Sequence, residues 1–378
     1  MTVYSQNITE QVRDLSDVLS TLIAIEPTFI SLFKPVDAPI NTRHEWNNDL
    51  LKPREIAYTG YNTSTGTFTV AGSSGWSVGD MVRIKGDPAV FRVKTLDTTS
   101  IAVEFTASNG SDITSVSGVP ATPGVLIYDS HPMVENSATG PKTFSQSGVD
   151  YNHTQIFRLQ VEMSRTAQAI RKYGNENRMN LQMGRAMRII RNDINRAALF
   201  GVRKDAPTSD EERRAGGLYY YGAMGGAVVD ANSGALSIKA VNDAAQTILS
   251  AGGKPNLILC GNGQARVISQ LMRNQISIVQ QETTRGTFVN RVMLESRGTL
   301  LQVFVDDAMD ANDTDIWVMD SSGFGLSWLT TLESRSIGPA AVDGNAEMII
   351  GEVTFEMVNF KERLCRIKKL KDSASTLV

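Results

Sequence analysis

The stretch from Ala24 to Pro53 constrains this chain most, because it is rich in large apolar side chains and yet cannot form a long helix. It contains three prolines before residue 40, namely Pro27, Pro35 and Pro39. Each proline lacks an amide donor and disfavours the helical conformation of the residue before it. The side chains of Phe29 and Phe33 must nevertheless leave water, and an extended segment does this most readily against another surface, in the same chain or in the next one. The pattern therefore predicts an arm that lies on a neighbour, which indicates assembly rather than catalysis.

Length and composition predict a globular protein of two or three domains. The chain has 378 residues, of which 41% are hydrophobic, enough to fill a core in each domain. Its longest apolar runs, such as Leu300 to Val305, are far shorter than the roughly 20 residues that cross a bilayer. The N-terminal residues lack a basic leader followed by an apolar run. We therefore expect no membrane partner and a location in a cytoplasm.

Charge and cysteine content limit the classes of partner. The chain has 37 basic and 40 acidic residues and a net charge of −3, so any contact with DNA is expected to be weak. Its two cysteines, Cys260 and Cys365, occur in apolar, strand-like sequences. This context favours buried free thiols over a disulfide.

Residues 60–120 predict a small inserted β module. The composition changes there to Gly, Ser, Thr and Val, and four segments with strand signals are separated by turns. Alternating apolar residues, as at Ile101 and Val103, give each strand one buried face, and spacings of about ten residues favour a compact sandwich or barrel. The Gly-, Ser- and Pro-rich residues that follow, up to Gly148, are interpreted as a long exposed loop.

The strongest helical signal runs from Glu176 to about Phe200, with apolar residues at spacings of three and four. Its other faces carry five arginines against Asp193; these are Arg178, Arg185, Arg188, Arg191 and Arg196. Two interpretations remain open for them, a solvated helix face or ion pairs to adjacent subunits. A shorter amphipathic helix is predicted within residues 1–23, with apolar positions at Val12, Leu15, Leu19 and Leu22.

Residues 236–330 predict an α/β unit around a central sheet. Helices are expected at Ser237 to Ala251 and Gln264 to Met272, and strands at Asn256 to Cys260 and Thr299 to Val305, with two further strands before residue 330. The residues after Ala346 predict two strands that rejoin the long helix.

No catalytic, cofactor or metal site is predicted. Gly261 and Gly263 lie between a strand and a helix, but Arg266 stands where a third glycine would be needed for a dinucleotide fingerprint. The acidic run from Asp306 to Asp315 lacks the glycine and glutamate of a calcium loop, and it is interpreted as a solvated turn between two strands. The three histidines lie in separate segments without zinc spacing.

Several blocks of the sequence resemble the major capsid proteins of tailed bacteriophages. They are TRHEWNNDLL (Thr42 to Leu51), YNHTQIFRLQVEMSRTAQAIRKYG (Tyr151 to Gly174), the long helix, and GGLYYY (Gly216 to Tyr221). The resemblance implies an α+β, Hong Kong 97-like major capsid fold with an inserted small all-β domain. Its parts would be an N-terminal arm (1–40), an extended loop (41–60 and 121–160), a peripheral domain with the spine helix (161–235 and 331–378) and an axial domain (236–330).

By that resemblance the chain assembles with itself into hexamers and pentamers of an icosahedral shell around double-stranded DNA, without enzymatic turnover. Scaffolding, portal and decoration proteins are implied as further partners, in the host cytoplasm during assembly and in the virion afterwards. The expected inter-subunit contacts are Phe29, Phe33, Trp46 and the five arginines of the long helix.

Two alternatives come from other classes of protein. A tail or decoration protein would use the β module to bind a receptor or a glycan, although such proteins are usually β-rich throughout. An α/β enzyme would use the turn at Gly261, but the residues that such a site needs are missing.

Overall fold

The fold is described from a computed structural model of the chain. It describes residues 28–371 except 49–53, 63, 73–74, 87–89, 107–111, 114–123, 134, 136–147, 170–177, 209, 272–275, 279–289, 294–299 and 338–343. The helix expected within residues 1–23 lies outside the described residues.

Twenty strands are present in this part of the chain. They are β1 Lys34–Pro35, β2 Arg43–Asn48, β3 Glu55–Asn62, β4 Thr67–Val70, β5 Met81–Ile84, β6 Val90–Leu96, β7 Ser100–Thr106, β8 Asp112–Ile113, β9 Gly124–Ser130, β10 Gly148–His153, β11 Gln155–Ser164, β12 Ala227–Asp230, β13 Leu257–Cys260, β14 Ile276–Ile278, β15 Asn290–Met293, β16 Leu300–Val305, β17 Ile316–Met319, β18 Phe324–Ile337, β19 Gly344–Met357 and β20 Leu364–Lys368.

The α-helices are α1 Arg165–Ala169, α2 Arg178–Phe200, α3 Leu218–Gly225, α4 Ile238–Ser250, α5 Asn262–Leu271 and α6 Phe360–Arg363. Short 3-10 helices are Phe29–Leu32, Asp307–Asn312 and Ser321–Gly323. The helices α2, α4 and α5 confirm the predictions made from apolar periodicity. Ser237 caps α4, because its hydroxyl accepts a hydrogen bond from the amide of Ala240 at 3.1 Å.

A four-stranded sheet, ordered β1-β18-β19-β11, forms one half of the body. Its two long central strands pair antiparallel, and β11 pairs antiparallel with β19 over ten residues. The helix α2 packs on β11 and β19 through its apolar stripe, which includes Ala186, Ile190 and Ile194. The arm segment, defined here as residues 28–40, adds β1 in parallel to β18.

A seven-stranded sheet, ordered β12-β20-β17-β13-β16-β15-β14, forms the other half, with α4 in contact with β12, β17 and β20. Its core contains the two cysteines as free, buried thiols, which confirms that prediction. Burial raises the pKa of both thiols to about 12. The expected division of the chain differs here, because β12 and β20, assigned to the peripheral domain, pair within this sheet.

The inserted β module is a closed barrel. Its strands run in the order β4-β3-β9-β5-β6-β7, and β4 also pairs with β7 to close the ring. The barrel core contains Tyr58, Phe68 and Phe91, all fully or almost fully buried. The module is longer than predicted, because its first and last strands, β3 and β9, extend it to residues 55–130. The strand β9 therefore corrects the interpretation of residues 124–130 as part of an exposed loop. Residues 136–147 of that loop lie outside the described residues.

Candidate functional site

The arm segment is fastened to the body by the carboxylate of Asp306, which is fully buried. Its Oδ2 accepts hydrogen bonds from the amide of Phe29 at 2.9 Å and from the side-chain amide of Asn195 at 2.9 Å. The hydroxyl of Thr28 lies 2.8 Å from the same oxygen. The other carboxylate oxygen, Oδ1, accepts from the amide of Ala308 at 2.9 Å, so it caps the 3-10 helix that follows.

Asn195, in the last two turns of α2, completes this arrangement, which we call the arm clasp (Thr28, Phe29, Ile30, Asn195 and Asp306). Its side-chain oxygen accepts from the amide of Ile30 at 3.0 Å, while its NH2 group donates to Asp306. The clasp thus joins three separate parts of the chain through buried and partly buried groups that satisfy one another. Because buried polar groups are costly to leave unpaired, the clasp fixes the place where the segment before residue 28 meets the body.

A second anchor lies at the ribbon of β2 and β10, which pair antiparallel from Arg43 to Asn48. Asn152 is fully buried, and its NH2 group donates to the carbonyls of Gly216 at 3.0 Å and Phe355 at 2.8 Å. Its side-chain oxygen accepts from the amides of Gly216 at 2.7 Å and His153 at 2.9 Å. All four hydrogen-bonding positions of this amide are therefore used.

Aromatic and ionic contacts reinforce this ribbon. The ring of Tyr151 lies between two guanidinium groups, that of Arg43 at 3.8 Å and that of Arg203 at 3.9 Å from its centre. Arg203 also donates to the carbonyl of Tyr151 at 2.7 Å. On β2, the largely buried His44 side chain pairs with Glu356 of β19. The ribbon is thus held to the four-stranded sheet, although two strands alone would be marginally stable.

The segment GGLYYYG packs beneath α2 because its glycines permit close approach. A Cβ at Gly217 would lie 2.5 Å from the carbonyl oxygen of Ala197, and a Cβ at Gly222 would lie 2.1 Å from the buried ring of Trp317. Tyr221 is buried and donates its hydroxyl to the carbonyl of Tyr151 at 2.9 Å, and burial raises the pKa of this phenol. The segment therefore couples α2, the ribbon and the seven-stranded sheet.

Three of the expected inter-subunit contacts pack against their own chain instead. Phe29 is 0% exposed, Phe33 8% and Trp46 7%, and all three belong to one hydrophobic cluster. Phe33 stacks on Phe324 with ring centres 5.4 Å apart. The prolines do prevent a long helix, but the extended arm finds its apolar surface at the edge of β18. The expectation that these side chains contact a neighbour is corrected by this burial.

In contrast to these three aromatic side chains, the described arginine side chains of α2 are exposed or only partly buried. Arg188, Arg191 and Arg196 are exposed, and Arg185 is partly buried. Arg178 begins the helix, but its side chain lies outside the described residues. None of the acidic groups that the structure describes forms an ion pair with Arg188, Arg191 or Arg196. Their role as inter-subunit contacts stays a prediction.

The turn at Gly261 is occupied by the chain's own carboxylates. The amide of Asn262, the first residue of α5, donates to Asp310 at 2.6 Å, and the amide of Gln264 donates to Asp313 at 3.1 Å. These acids would repel a phosphate from this helix N-terminus, which argues against the nucleotide-site hypothesis. Part of the acidic run forms a 3-10 helix rather than a plain turn. Among the described residues no group of three or more His, Cys, Asp or Glu could hold a metal ion.

The three anchoring residues Asn152, Asn195 and Asp306 were not recognised from the sequence. Asp306 precedes a short helix and carried a capping signal, but its bonds to the arm and to α2 join residues far apart in the chain. The two asparagines carried no signal, because single polar residues in apolar segments have no distinctive spacing.

Comparisons with known proteins agree on the fold. The sequence model of a family described as SU10 major capsid protein matches residues 2–371, whereas no curated protein matches. The capsid of a native GTA particle is 9% identical, with 96% of this chain and 97% of that chain covered and a TM-score of 0.54. A solved structure from Mycobacterium phage Cain is 11% identical to this chain. The match covers 98% of this chain and 99% of that chain, with a TM-score of 0.51. The capsid of Myoviridae phage XM1 is 10% identical. The match covers 97% of this chain and 98% of that chain, with a TM-score of 0.50.

At these identities the solved structures establish only the fold, which is the Hong Kong 97-like capsid fold expected from the sequence. No helix in the described ranges has the length and hydropathy needed to cross a membrane.

Proposed function

Because this chain belongs to the SU10 major capsid protein family, we propose that it builds its shell from hexamers and pentamers of itself around double-stranded DNA. It is a major capsid protein of a tailed phage and a component of the virion capsid. A shell made from one chain must place the same subunit in five-fold and six-fold surroundings, so its contacts have to be spread over several elements.

The observation that carries the proposal is the anchoring to one body of the two places where the chain leads to residues 1–27 and to the inserted barrel. The arm clasp fixes the segment before residue 28, and Asn152 with Tyr151 fixes the ribbon from which residues 49–147 depart. Elements anchored at their roots can reach a neighbour in a defined direction, which reduces the entropy lost on assembly. Of the exposed arginines of α2, Arg196 supplies a further polar contact to adjacent subunits.

The other partners follow from the same function. The net charge of −3 supports weak contact with the packaged duplex, since a strongly basic lining would bind DNA tightly through counterion release. Scaffolding, portal and decoration proteins are further proposed partners, assembly takes place in the host cytoplasm, and no enzymatic turnover is involved. The match over residues 2–371 favours this function over that of a tail or decoration protein.

Negative-stain microscopy of the full-length chain, expressed alone and with a scaffolding protein, tests the proposal. Closed shells or hexamers are expected, whereas trimers would favour the tail or decoration protein and monodisperse dimers an enzyme. Removing residues 1–27 should leave folded capsomers that assemble poorly. This truncation is preferable to removal of residues 1–40, which would also delete Phe29 and Phe33 from the core.

A further inference from the structure

One stripe of α2 leads directly to the arm clasp. Gly184, Arg188 and Arg191 precede Asn195 by eleven, seven and four residues, so all four lie on the same side of the helix. Arg188 and Arg191 are exposed, and no acidic group in the described part of the chain pairs with either. The stripe therefore presents two uncompensated cations on the side of α2 that holds Ile30.

The segment that enters the clasp has the opposite charge. Residues 1–27 contain four acidic side chains, Glu10, Asp14, Asp17 and Glu26, and one basic side chain, Arg13, a net charge of −3. The first three acids are spaced by four and then three residues, so they share one face of the helix that the sequence predicts. In contrast, α2 carries five arginines against one aspartate, a net charge of +4.

The geometry of the clasp keeps these charges close together. Thr28 and Phe29 are bonded to Asp306, and Ile30 is bonded to Asn195, so the acidic segment must begin beside α2. Along the helix axis, Arg191 and Arg188 lie about 6 and 10 Å from Asn195. A chain of this length spans that distance easily. Its tether also gives it an effective concentration of the order of millimolar or more at the stripe.

We propose that residues 1–27 dock on their own subunit's α2, with Glu10, Asp14 and Asp17 facing Arg188 and Arg191. The inference does not depend on the assembled shell, since every group belongs to one chain. In the predicted helix, the apolar stripe of Val12, Leu15 and Leu19 lies opposite the acids. Docking through the acids therefore leaves that apolar stripe facing away from α2, where a second copy of the chain can cover it.

Charge reversal tests the docking. In the full-length chain, Arg188→Glu with Arg191→Glu should make amide exchange in residues 1–27 about tenfold faster, the effect of losing two surface ion pairs. Adding Glu10→Lys, Asp14→Lys and Asp17→Lys should restore the slow exchange. The matched control is Lys239→Glu with Arg266→Glu, which makes the same charge change on α4 and α5 and should have no effect. Unchanged exchange in the first variant, or no restoration in the second, would overturn the proposal.

Thiol crosslinking identifies which copy is contacted. Arg13→Cys places a thiol beside the acidic face, and Gly184→Cys places one on the stripe, where no other atom lies within 4 Å of the new Cβ. The two native cysteines are buried and do not compete. A bismaleimide should yield an internally crosslinked monomer on a denaturing gel. Crosslinked dimers alone, or no crosslink, would overturn docking on the same subunit, whether or not the shell forms.

Discussion

Asp306→Ala and Asp306→Asn are expected to release the arm to different extents. Alanine removes all four accepted hydrogen bonds, but the Thr28 hydroxyl can still donate to the carbonyl of Val305, which lies 2.9 Å away. Three donors remain buried without an acceptor, namely the amides of Phe29 and Ala308 and the side chain of Asn195. At about 1–2 kcal/mol for each, the variant should lose about 3–6 kcal/mol of the free energy of unfolding.

Asparagine keeps the shape of the side chain but has a single oxygen. The carboxylate uses one oxygen for the arm and the other for Ala308, so the NH2 group of an asparagine must face a donor on one side. The cost should therefore be about 1–3 kcal/mol. Hydrogen exchange over residues 28–33, together with urea unfolding, separates loss of the arm from loss of stability.

The control is Asp320→Asn. Asp320 is 5% exposed and caps another 3-10 helix, where its Oδ1 accepts from the amide of Ser322 at 3.0 Å, but it makes no bond to the arm. A comparable loss of stability is expected, with residues 28–33 still protected. Equal protection of these residues in Asp306→Asn and Asp320→Asn would refute the role of the clasp.

Three further predictions follow from other contacts. Gly222→Ala should cost about 3 kcal/mol in urea unfolding, because its Cβ would meet the buried Trp317 ring, whereas Gly184→Ala on the exposed side of α2 should stabilise by up to about 1 kcal/mol. Burial lowers the pKa of His153, so the folded state binds protons less readily than the unfolded state. Stability should therefore fall as pH decreases through about 6.5, and His153→Gln should flatten this slope in urea titrations at several pH values. A thiol reagent at pH 8 should label neither native cysteine until the chain is unfolded.

The spacing of apolar residues predicted which helices and strands form better than it predicted which strands pair with one another. The long helix and α4 were predictable because an apolar stripe every three or four residues leaves few other arrangements. The inserted barrel was recognised from its central strands, but β3 and β9 were missed, and the pairing of these two strands with each other joins residues about 70 apart in sequence. Likewise β20 was predicted as a strand, yet its place beside β17 and β12 depends on long-range pairing.

The candidate site was predictable only in part. The prolines correctly indicated that residues 28–40 form no long helix, although Phe29–Leu32 form a short 3-10 helix. They carried no information about which surface would cover Phe29 and Phe33. Burial of these rings depends on the edge of β18, about 290 residues later in the chain. Anchors such as Asn152 and Asp306 depend on single polar atoms meeting in three dimensions, and no local pattern encodes that meeting.

The closed ring of the barrel also determines how freely its sequence can vary. Chain entry at Glu55 and exit at Ser130 lie on adjacent strands, because β3 pairs directly with β9. An inserted domain whose first and last strands are neighbours can be enlarged, given different surface side chains or exchanged. The distance between its two connections to the body stays the same. Changes within the inserted barrel therefore leave the spacing of its two attachment points unchanged as long as β3 and β9 remain paired.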